Sequence, residues 1–178
     1  KADFIFVPAG TIHAIGAGLV IAEIQQRSDT TFRLFDYGRQ RELHVDHAVA
    51  VANAGPEKFQ QASRRLTEAR TLLVASPPFV LERIDLAADS SWELRADHET
   101  WLLVLEGDAR IGSLNPCVGE AVFLDAARAE IEVGASGLMG LVAYVGPAQS
   151  PDLLTDLGPG VESRIGRFSR PGVPHRTT

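Results

Sequence analysis

Five side chains within the first 33 residues have the types and spacing of a small polar site: His13, Glu23, Gln25, Asp29 and Arg33. His13 follows the turn signal Pro8-Ala9-Gly10 on a short extended run flanked by Ile12 and Ile15. An imidazole there can ligate a metal or move a proton, and it can equally be a hydrogen-bonded rim residue. Glu23 interrupts the apolar run LVIAEIQQ, where burying a carboxylate is costly unless it is paired, metal-bound or used. An ion pair to Arg33 across a hairpin is the plain alternative. Gln25 shares the parity of Glu23, so both leave the strand on one face with Leu19 and Ile21. Asp29 either starts the turn Ser28-Asp29-Thr30 or adds a carboxylate to the site. Arg33 points to the side opposite Phe32 and Leu34. One His, one Glu, one Gln and one Arg on neighbouring strands suit a polar pocket inside an apolar barrel.

The elements that must position these groups read as short strands. Residues 3–7 run to Pro8, 19–26 are β-branched, and 30–36 alternate, with Gly-rich turns between them. The period then changes: Leu43, Val45, Ala48, Val49, Val51 and Ala52 suit one short helix, ended by Asn53-Ala54-Gly55-Pro56. Residues 56–70 are polar, carry Arg64, Arg65 and Arg70, and read as a surface connector anchored by Phe59 and Leu66. Strands return at 71–75, 79–86, 91–96, 100–106, 108–112, 119–124, 128–133 and 138–145, each gap punctuated by Gly, Pro, Asp or Ser. That rhythm predicts an all-β sandwich or barrel. The stretch after Pro147 is rich in Pro, Gly and Ser and shows little periodicity, and Ile165 and Phe168 have no evident place.

Composition narrows the function classes. The chain has 178 residues, 45% of them hydrophobic and 22% charged, as in a globular protein. Its apolar runs, such as WLLVLEG, are too short to span a bilayer, so no membrane partner is expected. A formal charge of −6 without a basic patch argues against nucleic acid. A phosphorylated sugar remains compatible, because a few local arginines suffice. The single cysteine, Cys117, reads as a turn or core residue and fits a reducing, cytoplasmic setting. The sequence opens on Lys-Ala-Asp-Phe, with no Met and no signal-like segment, and enters a strand within two residues. It reads as beginning inside a larger gene product.

Four motifs then carry a resemblance. PAGTIHAIG (8–16), the Glu23–Gln26 strand, SDTTFRLFD (28–36) and RELHV (41–45), in that order and spacing, are similar to the type I mannose-6-phosphate isomerases of the cupin superfamily. The resemblance covers about 45 residues closely. A looser likeness of residues 71–145 to that family's C-terminal barrel extends it. It implies cupin-like jelly-roll barrels: the end of a catalytic barrel with its following helix (1–55), a connector (56–70), a second, metal-free barrel (71–146) and a tail (147–178). It also implies interconversion of mannose 6-phosphate and fructose 6-phosphate through an enediolate, with one divalent metal, zinc.

By the same resemblance His13 is a metal ligand, the last of four, and no counterpart of the other three precedes it. Arg33 and Glu23 match active-site residues by that resemblance; Gln25, from its parity with Glu23, and Asp29, from the turn that follows, are read as the substrate-binding face. Arg33 would steady the developing oxyanion. Two readings of different class follow. The chain is part of a sugar-phosphate isomerase, or it is a non-catalytic barrel that binds a ligand or partner. His44 and His47 read as a solvated polar face, and His98 and His175 as surface residues. Exposed strand edges would allow self-association.

Overall fold

The computed structural model describes residues 4–28, 30–55 and 62–159. The chain divides into two compact units, Lys1–Ala62 and Ser63–Thr178. In the first, the helix expected near residue 45 is present as α1 (Val45–Val51), with Asp46 in its first turn, where the helix dipole favours a carboxylate. The three strands expected at 3–7, 19–26 and 30–36 are not found among the described residues. Their β-branched side chains have the right propensity, but a strand is defined by ladder partners. Here no run has one among the described residues, Leu34 sits in a bend, and Leu19, Val20 and Ile21 are all exposed.

The second unit is an antiparallel, curled sheet of β1 (Arg64–Arg65), β2 (Arg70–Ala75), β3 (Phe79–Leu86), β4 (Ser90–Ala96), β5 (Thr100–Ile111), β6 (Ala121–Leu124), β7 (Ala127–Val145) and β8 (Leu154–Pro159). The all-β expectation therefore holds. Residues 138–145 of β7 lie between β3 and the first half of β5, which in turn pairs with β6. Residues 127–133 of β7 lie between β4 and the end of β5, and β4 pairs with β8. The β5–β7 ribbon thus belongs to both layers and bends to close them over one core. Val80, Ile84, Leu94, Leu102, Val104, Ile131 and Val142 are fully buried there. Each such side chain contributes about 1.5–3 kcal/mol.

Two gaps expected between strands are bends within one strand. Gly107 interrupts 100–106 and 108–112 in the sequence, yet β5 runs through it with register shifts on either side. Its φ is +83°, and a Cβ there would lie 1.9 Å from the Gly137 carbonyl oxygen. Glycine is required because two backbones touch at the bend. Arg70, read as part of an exposed connector, instead opens β2 and is buried, and Leu66 packs against the core as expected. Cys117 is exposed beside a turn, its amide bonded to the Glu120 carboxylate.

Candidate functional site

In the first unit the PAG turn is closed by the Thr11 amide donating to the Pro8 carbonyl (3.1 Å). It is fixed to the end of α1 by the Asn53 amide, which donates to the Gly10 carbonyl (2.8 Å). Gly10 has φ +86°, and a Cβ would meet the Val51 carbonyl oxygen at 2.9 Å, so a side chain there would push the turn off the helix. His13 follows at once. Its Nδ1 lies 3.0 Å from the Thr11 carbonyl oxygen, which can only accept, so Nδ1 carries the proton. In the neutral ring Nε2 then holds the lone pair, the state a metal-ligating or proton-accepting histidine needs. His13 is exposed.

Arg33 is anchored on both sides. The His44 amide donates to the Arg33 carbonyl (2.8 Å), and the Arg33 amide donates to His44 Nδ1 (3.3 Å). Its guanidinium donates through Nη1 to the Glu42 carbonyl (3.0 Å), and its Nε is 3.6 Å from Asp36 Oδ1. Its ion-pair partner is therefore Asp36, and the hairpin pair with Glu23 does not form among the described residues. Glu23 and Gln25 are exposed, and neither has a recorded partner among the described residues. Asp29 lies outside the described residues.

Asp36 is the organising residue that the alternation pattern hides. It is only 6% exposed and accepts the Arg41 amide (2.7 Å) and Arg41 Nε (2.8 Å), with Arg41 Nη2 at 2.5 Å. The Arg41 side chain holds its carboxyl below the ordinary value of 3.8, helped by the Arg33 charge. The signal in the sequence was one aspartate among Arg33, Arg39 and Arg41. His44 and His47 are not simply solvated: His44 is half-buried, and His47 stacks on Phe32 with ring centres 5.5 Å apart.

No group of three or more His, Cys, Asp or Glu side chains is placed to hold a metal ion among the described residues. A zinc site needs three or four protein ligands. The described residues therefore do not by themselves fit a complete metal site.

The second unit holds a buried polar cluster that sequence reasoning missed. Glu82 faces inward with Val80, Ile84 and Leu86. Arg70 donates Nε and Nη2 to its two oxygens, both at 2.8 Å, and the Tyr144 hydroxyl donates to Oε1 at 2.6 Å. Burial pushes the Tyr144 phenol up, and its bond to Glu82 adds to the effect. Burial opposes the Arg70 charge, but Glu82 more than offsets that and raises its pKa. Arg70 also donates to the carbonyls of Ser150 (2.7 Å) and Pro151 (3.1 Å).

No family model matches the chain. It is 37% identical over 117 residues, 61% of its length, to mannose-6-phosphate isomerase of Streptococcus mutans. It is 34% identical over 120 residues to mannose-6-phosphate isomerase ManA of Bacillus subtilis. The chain is thus similar to curated mannose-6-phosphate isomerases over 61% of its length. A probable mannose-6-phosphate isomerase of B. subtilis, GmuF, is 47% identical over 55 residues. The chain spans 37% of the length of the S. mutans and ManA isomerases. Among solved structures, ectoine synthase from P. lautus is similar at TM-score 0.45 and 12% identity, over 55% of this chain and 83% of that one. Among the described residues no helix is long and apolar enough to cross a membrane.

Proposed function

We propose that the chain forms part of a mannose-6-phosphate isomerase, with residues 4–55 supplying one wall of its site. The relation to curated isomerases over 61% of the chain carries this reading. The reaction moves a proton from C2 of the aldose to C1, while the C1 carbonyl oxygen gains a proton and the C2 hydroxyl loses one. It passes through an enediolate. Arg33 is suited to hold the enediolate oxygens, because Glu42 and Asp36 fix Nε and Nη1 and leave Nη2 without a partner among the described residues. Glu23, Gln25 and Asp29 are assigned to the substrate face. His13 is assigned as one donor to a divalent metal, zinc by resemblance, through Nε2, supported by the Nδ1 bond that fixes its tautomer. The substrate is a sugar phosphate and the setting cytoplasmic, and the edge of β6, which among the described residues pairs only with β5, would allow self-association.

A coupled assay of mannose 6-phosphate turnover tests this. Arg33→Ala should lower kcat by roughly 10²–10³ with the fold retained. A wild-type chain that binds sugar phosphate without turnover would favour the non-catalytic reading.

A further inference from the structure

The second unit has a cleft of about 260 Å³ at the β4–β5 turn, walled by the segment after β7. Tyr144, Thr100 and Leu153, all buried, lie at its base, and Arg95, His98 and Ser150 also line it. The wall is built with unusual care. The Ser150 amide donates to the Tyr144 hydroxyl (3.0 Å), and Arg70 holds the Ser150 and Pro151 carbonyls. A buried ion pair is often no more stabilising than apolar residues of the same volume. Here its spare hydrogen bonds go to one surface segment, and what they secure is the position of the cleft wall.

Two polar groups at the cleft are unused: among the described residues neither the His98 ring nor the Ser150 hydroxyl has a hydrogen-bond partner. Each can donate or accept. The one permanent cation, Arg95, is already answered by Asp97 Oδ1 at 2.9 Å and Asp152 Oδ2 at 4.0 Å. A phosphate would meet those two carboxylates and gain little. Pro147, Val145 and Leu153 add apolar wall. Apolar wall beside unpaired hydroxyl and imidazole groups, without free positive charge, matches a ring with C–H faces and hydroxyl edges. We propose that this cleft binds a neutral polyhydroxylated ring, an unphosphorylated hexose, independently of the isomerase site.

Saturation-transfer NMR on the 178-residue chain tests it, with D-mannose and mannose 6-phosphate as probes. Mannose should receive transfer saturably, and mannose 6-phosphate should bind no more tightly through this cleft. His98→Ala (exposed) and Ser150→Ala (half-buried, its hydroxyl without a partner among the described residues) should each weaken mannose about tenfold at unchanged thermal stability. Arg33→Ala should leave mannose binding as it is, which separates this site from the first unit. Absence of transfer to mannose, affinity unchanged in both cleft variants, or tenfold loss in Arg33→Ala would each overturn the proposal.

Discussion

Arg70 and Glu82 form a two-bond guanidinium–carboxylate pair inside the second unit, with Arg70 4% and Glu82 0% exposed. Removing one partner strands the other charge, so Glu82→Ala should cost about 3–5 kcal/mol in urea unfolding. Replacing both with apolar residues, Arg70→Met with Glu82→Leu, should cost far less. Equal losses in the single and double variants would contradict the pair's role.

The Asp36 carboxyl is held below 3.8 by Arg41. A depressed folded pKa gives stability that is fully present above the unfolded value and lost as pH falls through the folded one. The first unit should therefore lose stability below about pH 4, followed by thermal unfolding against pH. Asp36→Asn should be less stable at neutral pH and flatter across that acid range. A parallel pH profile in the variant would count against the assignment.

Gly107→Ala should destabilise by at least about 2 kcal/mol, because the methyl meets the Gly137 carbonyl at a positive φ. Gly112→Ala is the matched comparison: its φ is +57°, but nothing lies within 4 Å of the added carbon. It should carry only the cost of a left-handed residue, roughly 1 kcal/mol. Equal effects would mean that conformation, and not the close approach, sets the demand for glycine.

Much of the second unit was legible because period-two alternation and turn residues are local. The bends at Gly107 and near Gly137 were read as breaks, since a glycine that ends a strand and one that bends it look alike until the facing backbone is known. Arg70 and Glu82 were missed for a similar reason. They are 12 residues apart, and only the β2–β3 register makes them partners. The first unit was read in the opposite direction. Its apolar runs predict strands, but propensity cannot supply a ladder, and residues 19–26 form no strand, with Leu19, Val20 and Ile21 exposed. His13 and Arg33 stood out by type and company, whereas Asp36 was absorbed into an alternation pattern although three arginines flank it.

The sharpest test is divalent-metal content together with mannose 6-phosphate turnover in the protein, wild type against His13→Ala. If residues 4–55 carry part of an isomerase site, His13→Ala should lower bound zinc and reduce turnover by at least about tenfold, with thermal stability retained. Unchanged zinc and unchanged turnover would contradict it.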